Sequence, residues 1–358
     1  MQKILILGYG KTGKSFESYL KDKNLSFNIF DQHIASGQKS NLSAASFVSK
    51  EEAMTYEEFY VSPGINLKKF FNNHIVGDAT LISDIDLFFQ ENQSFKIGIT
   101  GTNGKSSFTH YLNQALNSVS SSIALGNFGD PLPTNILHDK KYSVIELSSF
   151  QLDKMQKNLL DLSVLINITS DHLDYHDTLE NYRDAKMKIF CSGKQTIILS
   201  HLKSLQEQAT EIALRLEPKL NTQKISYKNL PHRLEMISNK IFNDSKSTNI
   251  ASLKYALSSL CFKGDLLMCG DPKKEKWSNL FIPLVNEIII FGKHSEEIYS
   301  LIQNKNKICF NTMEEAINYL SFENNILFSP GNPSGDDFKN FEERGKKFCE
   351  LILRENSE

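Results

Sequence analysis

One segment limits the possible folds of this chain more than any other: a glycine loop between a predicted strand and a predicted helix. The apolar run 95–100 leads into GTNGKS (101–106), and a helical pattern follows over 106–116. In such a loop the glycines let backbone N–H groups close around phosphates, the lysine neutralises their charge, and the serine hydroxyl can reach Mg²⁺. This order predicts a P-loop for ATP, although Ile99 stands where the standard motif has its first glycine.

A second glycine loop stands near the N-terminus. GYGKTG (8–13) follows the apolar run 4–7, and Asp31 comes directly after the next predicted strand, 27–30. This spacing suits a pyrophosphate on the N-terminus of a helix and a carboxylate on a ribose hydroxyl. The residues alone leave two interpretations open, a nicotinamide or flavin enzyme and a glycine turn that only packs a helix against a sheet.

Strand-like and helical patterns alternate along the chain, which predicts an α/β fold with mostly parallel sheets covered by helices. Polar segments near 90–94 and 218–230 divide the pattern into three blocks. We therefore expect three domains: a Rossmann-like domain over 1–93, a central P-loop ATPase-like domain over 94–229, and a second Rossmann-like domain over 230–358. Further strands are predicted at 142–147, 162–168, 195–199, 266–269, 287–291 and 325–328, and helices at 15–21, 202–216, 249–260, 295–303 and 336–353.

Composition excludes several classes of protein. The 40 Lys and Arg residues against 42 Asp and Glu residues give a net charge of -2, which argues against a basic surface for nucleic acid or anionic lipid. No apolar run approaches the roughly 20 residues that a membrane span needs. The five cysteines include no CxxC pair, so no disulfide framework is expected. We expect a cytoplasmic monomer without a nucleic-acid or membrane partner.

Ligands for a metal at the phosphates would come from the ends of neighbouring strands. Glu146 lies at the end of the strand 142–147, and Asp171 and His172 follow the strand 162–168. Taken alone, each residue is more often a cap or a surface group. His172 and His176, four positions apart, would also suit zinc on a helix. Since the region lacks HExxH and follows a strand, magnesium is favoured.

Lys186 lies in an amphipathic helical pattern, 181–190. From the residues alone, a solvated lysine is the simpler interpretation. The alternative is a lysine with a depressed pKa near the metal that gains a carboxylate by carbamylation.

Together the motifs resemble those of the Mur ligases of peptidoglycan precursor synthesis. The resemblance covers nearly the whole chain. ELSSFQL, NDSKSTN and FKNFEERG resemble the family member that adds D-glutamate to UDP-N-acetylmuramoyl-L-alanine, rather than its alanine-adding or dipeptide-adding relatives. The matching motifs follow in order: GYGKTG (8–13), VSPGI (61–65), GITGTNGKSS (98–107), LGNFG (125–129), ELSSFQL (146–152), TSDHLDYH (169–176), YRDAKMKIF (182–190), PHRLE (231–235), NDSKSTN (243–249) and SPGNPSGDDFKNFEERG (329–345).

The resemblance implies a role for individual residues, and in this family the N-terminal domain holds UDP rather than NAD. The UDP-substrate contacts would be Thr12, Asp31, Gly64, Asn127, Ser148 and Gln151. The ATP contacts would be Gly101, Thr102, Asn103, Gly104, Lys105, Ser106, Ser107, Arg233, Asp244 and Lys246. The magnesium ligands would be Ser106, Glu146, His172 and Lys186 as a carbamate. The D-glutamate contacts would be Thr248, Lys273, Ser334 and Phe341. Lys105, Lys186 and His172 would be catalytic.

The implied reaction transfers the γ-phosphoryl group of ATP to the alanyl carboxylate, and the D-glutamate amine then attacks the acyl phosphate. A dicarboxylate substrate needs a cation such as Lys273 and hydroxyl donors. Lys273 also lies in a run of charged residues, and in such a run a lysine can simply be exposed to solvent. Two other classes stay open: a ligase similar to folylpolyglutamate synthetase, which shares the TGTNGKS loop, and a paralogue that binds the UDP precursor without using ATP. The segment between Lys194 and Pro231 is shorter than in the family and holds no HNxxN-like run for adenine.

Overall fold

The computed structural model describes residues 3–43, 45–71, 79–169, 173–272 and 277–355. Three candidate residues, Asp171, His172 and Lys273, lie outside the described residues. The chain forms two compact units, residues 1–227 and residues 228–358.

The first unit holds two parallel sheets, of which the N-terminal one has four strands in the order β2-β1-β3-β4. Its central strand β1 is buried along its whole length because helices cover both faces of the sheet. Phe16 and Leu20 lie on the buried face of the helix that follows the first glycine loop. The elements are β1 (Ile4–Leu7), α1 (Lys11–Asp22), β2 (Phe27–Phe30), α2 (Lys50–Ala53), β3 (Glu58–Val61), α3 (Leu67–Phe70), β4 (Thr80–Ser83) and α4 (Asp84–Glu91).

The second sheet of this unit has five parallel strands in the order β6-β7-β5-β8-β9. The strand before the P-loop-like sequence run, β5, lies in its centre. The elements are β5 (Phe95–Thr100), α5 (Lys105–Asn117), β6 (Ser122–Gly126), β7 (Tyr142–Glu146), α6 (Ser149–Lys154), β8 (Leu162–Leu165), α7 (Leu173–His176), α8 (Leu179–Met187), β9 (Gln195–Ile198) and α9 (Leu205–Leu216), with 3₁₀ turns at Leu132–Asn135, Lys188–Phe190 and Thr222–Lys224.

The second unit holds one six-stranded sheet in the order β10-β11-β15-β12-β13-β14. Only the pair β10 and β11 is antiparallel among its described strand pairs. The elements are β10 (Glu235–Ser238), β11 (Ile241–Asn243), α10 (Ile250–Ser259), β12 (Gly264–Met268), β13 (Val285–Phe291), α11 (Ser295–Leu301), β14 (Lys307–Phe310), α12 (Met313–Asn318), β15 (Ile326–Phe328) and α13 (Phe341–Glu355).

The predicted α/β class with mostly parallel sheets is confirmed, whereas several predicted boundaries are wrong, among them one strand end and one helix start. The strand predicted over 162–168 ends at Leu165, because the next residues turn to bond the glycine loop of β5. The helix predicted from residue 336 begins at Phe341, because the Asn340 side chain accepts the backbone N–H of Glu343 at 2.8 Å and caps the first turn.

Two further expectations bear on the surface and the thiols. Within the described ranges, no helix is long and apolar enough to cross a membrane. All five cysteines lie in those ranges as free thiols.

Candidate active site

The loop between β5 and α5 has the backbone shape that its sequence predicts. Gly104 precedes the first helical residue in the left-handed region, with φ of +83°, where a side chain is strained. A Cβ on Gly101 would lie 3.0 Å from Ile166. Ser106 and Ser107 occupy the first turn of α5, whose N–H groups have no earlier helical carbonyl to bond. A long helix that starts from a glycine loop is suited to an anion.

Asn167 holds this loop in place, and the sequence analysis did not assign it a role. The backbone N–H groups of Thr102 and Asn103 donate to Asn167 Oδ1 at 3.1 and 3.0 Å. Asn167 Nδ2 donates back to the Asn103 carbonyl at 3.1 Å. The Thr102 hydroxyl donates to the Thr169 carbonyl at 3.1 Å and accepts the Thr169 N–H at 2.9 Å. The residues after β8 therefore clamp the first half of the loop.

The two candidate lysines meet at one carbonyl of the loop. Lys105 Nζ donates to the carbonyls of Gly101 and Thr102 at 2.9 and 2.8 Å. Lys186 Nζ, on α8, donates to the same Gly101 carbonyl at 2.8 Å and lies 4.7 Å from the centre of the Tyr182 ring. Only 1% of Lys186 is exposed, so the interpretation as a solvated lysine is wrong. Two ammonium groups at one loop form a local positive site in a chain of nearly neutral net charge.

Glu146 ends β7, the strand beside β5, and its carboxylate lies in the interior. It is 1% exposed, and Oε1 accepts Asn127 Nδ2 at 3.0 Å. Oε2 is buried and has no hydrogen-bond partner among the described residues. A buried carboxylate oxygen without a donor is costly unless a cation binds it. The donor set at the carboxyl edge of this sheet therefore fits a hard divalent cation, with Glu146 as one ligand.

Of the two histidines in DHLDYH, only His176 lies among the described residues. His172 lies outside the described residues, so the choice between magnesium and zinc there stays a prediction. His176 is buried, with Nε2 at 2.9 Å from Ser149 Oγ and its ring stacked on Phe150.

The N-terminal glycine loop is closed by its own backbone. A Cβ on Gly13 would lie 2.1 Å from the Gly8 carbonyl oxygen, so only glycine fits there. Asp31 Oδ2 accepts the N–H of Tyr9 at 2.7 Å, and Oδ1 accepts the N–H of His33 at 2.9 Å. Each carboxylate oxygen keeps acceptor capacity beyond these bonds. Asp31 thus shapes the loop and can still accept a hydroxyl.

The other candidate contacts for the UDP substrate surround two helix starts. Thr12 lies in the first turn of α1, and Gly64 is exposed in the turn after β3. Ser148 caps α6: its Oγ accepts the Gln151 N–H at 3.2 Å, while Gln151 Oε1 accepts the Ser148 N–H at 3.1 Å. The sequence spacing Ser-x-x-Gln is typical of such a capping box and could have predicted it.

Asp84 connects that cap to the N-terminal sheet. Gln151 Nε2 donates to Asp84 Oδ2 at 2.7 Å, and Oδ1 is buried without a partner among the described residues. Burial raises the pKa of Asp84 to about 6, against the lowering effect of the Gln151 hydrogen bond. The amide of Gln151 is therefore held at both ends, by Ser148 and by Asp84.

Lys154, at the end of α6, makes a second connection between the two sheets of this unit. Its Nζ donates to the Pro63 carbonyl at 2.6 Å and to the Tyr175 hydroxyl at 2.8 Å. Burial lowers the pKa of Lys154 to about 8. The VSPGI turn after β3 is thus fixed to α6, and no residue of this connection was among the sequence candidates.

In the second unit the structure brings together two candidate contacts from different motifs. Lys246 Nζ lies 3.5 Å from the centre of the Phe341 ring, an arrangement that favours a cation over an aromatic face. Ser334 lies in a loop whose Pro333 carbonyl accepts the Asp271 N–H at 3.1 Å. Thr248 is half-buried after β11.

Asp244 is a buried carboxylate at the end of β11. It accepts the Leu234 N–H at 3.2 Å and the Ser329 hydroxyl at 2.9 Å. Burial raises its pKa to about 6, against the lowering effect of the nearby Arg233 charge. Arg233 Nε is buried without a partner among the described residues. The charge of Arg233 therefore acts on the buried Asp244 carboxylate.

Arg344, in the FEERG motif, supports the same loops and was missed from the sequence. It is fully buried on α13, and it donates to the Ser245 carbonyl at 2.7 Å, to Ser245 Oγ at 3.0 Å and to the Asn332 carbonyl at 3.2 Å. An arginine in the middle of an otherwise polar run gives no signal of burial, so only the fold reveals this role.

Comparison with solved structures concerns the fold. The MurF ligase of Thermotoga maritima in complex with ADP superposes with a TM-score of 0.58, at 15% identity over 99% of this chain and 95% of that chain. A pseudomurein peptide ligase type C from Methanothermus fervidus gives a TM-score of 0.55, at 14% identity over 99% of this chain and 100% of that chain.

Sequence comparison defines the class. The profile of the Mur ligase middle domain matches residues 99–267. A ligase from Buchnera aphidicola subsp. Baizongia pistaciae is 31% identical over 435 aligned positions, which cover 98% of this chain and 97% of the relative. The chain therefore belongs to the Mur ligase family and is a ligase, and the resemblance seen in the sequence is confirmed.

Within that class, two of the sequence relatives carry the same name. The Buchnera protein is a UDP-N-acetylmuramoylalanine–D-glutamate ligase, and so is a Thermotoga sp. (strain RQ2) protein that is 29% identical over 98% of both chains. The 435 aligned positions with the Buchnera protein exceed the 358 residues of this chain, so that relative has segments that this chain lacks.

Proposed function

We propose that this chain uses ATP to join D-glutamate to UDP-N-acetylmuramoyl-L-alanine through an amide bond, in peptidoglycan precursor synthesis. Relatives of this name at about 30% identity, aligned over nearly the whole chain, support the substrate assignment. The observation that carries the chemistry is the convergence of Lys105, Lys186 and the loop of α5 beside the buried, half-satisfied carboxylate of Glu146.

The reaction needs activation because a carboxylate is a poor electrophile. An oxygen of the alanyl carboxylate attacks the γ-phosphorus of ATP, and ADP leaves with the bridging oxygen. The D-glutamate amine then attacks the acyl carbon, phosphate leaves with the former carboxylate oxygen, and the nitrogen loses a proton. Two anions must meet in the first step, so cationic and N–H groups that offset their repulsion lower its barrier.

The residues of the central sheet supply those groups. The first turn of α5, with Ser106 and Ser107, would face the phosphates, and Lys105 would move from the loop carbonyls to the transferred phosphoryl group. The carbonyls of Gly101 and Thr102 hold Lys105 in the meantime, at 2.9 and 2.8 Å. Asn167 fixes the conformation of the loop by accepting the backbone N–H groups of Thr102 and Asn103.

Magnesium fits the carboxyl edge of this sheet. Glu146 Oε2 and the Ser106 hydroxyl would hold it, with His172 and a carbamate on Lys186 as the further proposed ligands. When bound, the ion neutralises negative charge on the phosphates.

The substrates would be held by separate parts of the chain, arranged as three domains. Asp31, with Thr12 and Gly64, would bind the UDP part, and Asn127 together with the cap of α6 (Ser148 and Gln151) would bind the muramoyl-alanine part. The second unit would contribute Arg233, Asp244 and Lys246 to the nucleotide and Thr248, Lys273, Ser334 and Phe341 to D-glutamate. A cytoplasmic location and a monomeric state stay predictions.

The proposal is tested by the release of phosphate from ATP and Mg²⁺ with UDP-N-acetylmuramoyl-L-alanine, with and without D-glutamate. We expect release that depends on D-glutamate, and L-glutamate serves as the matched control with little release. Phosphate release that D-glutamate does not stimulate would refute the assignment, and no release at all would favour a paralogue that only binds the precursor.

The role of Lys186 has its own test. We expect Lys186→Ala to lose turnover, with no recovery in bicarbonate and partial recovery in short-chain carboxylic acids, which can stand in for the carbamate. The matched control is Lys188→Ala, because Lys188 lies two positions further along the chain, with its side chain 41% exposed and its Nζ 3.6 Å from Asp153 Oδ1. Full activity of Lys186→Ala would remove this lysine from the site.

A further inference from the structure

A cluster of metal-ligating side chains lies in the second unit, and none of its three members has a role assigned above. His232 precedes β10, Glu235 begins β10, and Cys349 lies on α13. One ligand atom from each residue lies within 4.8 Å of the other two. His232 is 7% exposed, and the other two side chains are half-buried. His232 and Glu235 are three positions apart, and the fold brings the distant Cys349 to them.

The packing of α13 leaves room for the imidazole. A Cβ on Gly345 would lie 2.4 Å from His232 Nδ1 and 2.5 Å from the ring carbon Cγ. Cys349 follows Gly345 by four positions, so both residues lie on the same face of α13. The glycine therefore opens a space for the ring next to the thiol.

One amide nitrogen faces most of the acceptors in this cluster, and Glu235 Oε2 also accepts the His232 backbone N–H at 2.8 Å. Asn243 Nδ2 lies 2.9 Å from His232 Nδ1, 3.1 Å from the Gly345 carbonyl oxygen, 3.1 Å from Cys349 Sγ and 3.4 Å from Glu235 Oε2. An amide nitrogen carries two protons, so it cannot satisfy four acceptors. Such a centre favours a cation.

We propose that His232, Glu235 and Cys349 bind a thiophilic divalent cation, of which zinc is the best match. Imidazole, carboxylate and thiolate are all zinc ligands, and the usual bond lengths of about 2.0 to 2.3 Å place tetrahedral ligand atoms roughly 3.3 to 3.8 Å apart. The thiol proton leaves to solvent when the ion binds. The charges of thiolate and carboxylate then balance the ion, which suits a half-buried position.

Binding requires one local rearrangement. A half rotation of the Asn243 amide takes the nitrogen away from the centre and presents Oδ1 there as a fourth ligand. This rotation breaks the hydrogen bond that Oδ1 accepts from the Ser245 N–H at 3.1 Å. The bound ion then joins α13 to the segment before β10 and to the end of β11. Arg233 and Asp244 follow directly on two of the joined residues, so the ion fixes the positions of two proposed nucleotide contacts.

Cobalt(II) is the probe for this site, since it replaces zinc and gives an absorption band when a thiolate binds it. We expect the full-length protein to bind one equivalent of Co²⁺ with such a band, and Zn²⁺ to remove the band by displacement. Cys349→Ser is expected to abolish the band. Cys191→Ser and Cys261→Ser, at exposed thiols, are the matched controls and keep it.

A second measurement uses the unchanged protein and separates binding from misfolding. We expect Zn²⁺ to slow alkylation of Cys349 at least tenfold, followed by mass spectrometry of the modified peptide, with Cys191 unaffected. Glu235→Gln keeps the side-chain shape and is expected to weaken Co²⁺ binding at least tenfold. A thiolate band that survives in Cys349→Ser, equal alkylation of Cys349 with and without Zn²⁺, or no band at one equivalent of Co²⁺ would each overturn the proposal.

Discussion

The first unit contains the same motif twice, and the two copies differ in how the loop is held. Each is a parallel strand, a glycine loop and a helix that begins with a lysine, Lys11 in one and Lys105 in the other. In the N-terminal copy a carboxylate, Asp31, accepts a loop N–H, and Lys11 is exposed. In the central copy an amide, Asn167, takes that position, and Lys105 folds onto the loop.

The difference teaches what each loop can bind. A loop bonded by a carboxylate already carries negative charge, so it suits a ligand that offers hydroxyl donors as well as phosphate. A loop bonded by a neutral amide, with Lys105 folded onto it, suits a highly charged triphosphate. Two glycine loops of the same kind are thus suited to different ligands, because a different side chain follows the neighbouring strand in each case.

The largest expected effect separates the two lysines. Lys105→Ala is expected to lower turnover about 10²- to 10³-fold, because it removes a cation from the transferred phosphoryl group. Lys11→Ala is expected to change turnover little and to raise the KM for the UDP substrate a few-fold. Steady-state phosphate release measures both. Equal losses in the two variants would contradict the contrast between the loops.

Within the N-terminal glycine loop, two glycines differ in whether they can be replaced by alanine. Gly13→Ala is expected to destabilise the protein by about 2 to 3 kcal/mol, since the new Cβ meets the Gly8 carbonyl. Gly10→Ala is the control, because nothing lies within 4 Å of a Cβ there and φ is -75°. We expect a change within about 0.5 kcal/mol for it. Urea unfolding distinguishes these results, and similar midpoints would refute the close approach.

A crossed pair of variants tests the two loop clamps. Asn167→Ala leaves two loop N–H groups without an acceptor and is expected to raise the KM for ATP about tenfold. Asp31→Ala is expected to raise the KM for the UDP substrate by a similar factor. Each variant should leave the other KM within about threefold. A shared rise in both constants would show that the clamps support the whole unit rather than one ligand each.

The smallest expected effect is on the pH dependence of stability. It concerns Asp84, which has one oxygen without a partner in the described structure, whereas both oxygens of Asp31 accept a backbone N–H. Burial raises the pKa of Asp84 to about 6, above its unfolded value, so its stabilising contribution is complete at low pH and is lost as the pH rises through 6. We expect Asp84→Asn to remove a decline of about 1 kcal/mol between pH 5 and pH 7. Urea unfolding at the two pH values measures this, and parallel declines in both proteins would exclude Asp84 as the cause.

The sequence predicted what depends on local order along the chain. The strands of both glycine loops have the expected bounds, because apolar runs, glycines and helical periodicity lie within a few residues of each other. Glu146 could be assigned to a strand end for the same reason. These features need no knowledge of distant contacts.

The roles that the sequence analysis did not predict depend on contacts between residues far apart in the chain. Asn167 bonds a loop 64 positions earlier, and the burial of Lys186 follows from its contact with Gly101, 85 positions away. No pattern near either residue encodes its partner. Arg344 and Cys349 likewise gain their surroundings from α13 packing against loops that lie about 100 positions earlier.

The cap of α6 has a consequence for anyone who wishes to redesign the substrate pocket. Ser148 and Gln151 are proposed to touch the ligand, yet they also satisfy each other and start a helix. Replacing either one to admit a different acceptor would unravel that turn and disturb Glu146, two positions before it. Productive engineering would therefore have to leave this pair alone and vary the residues around it.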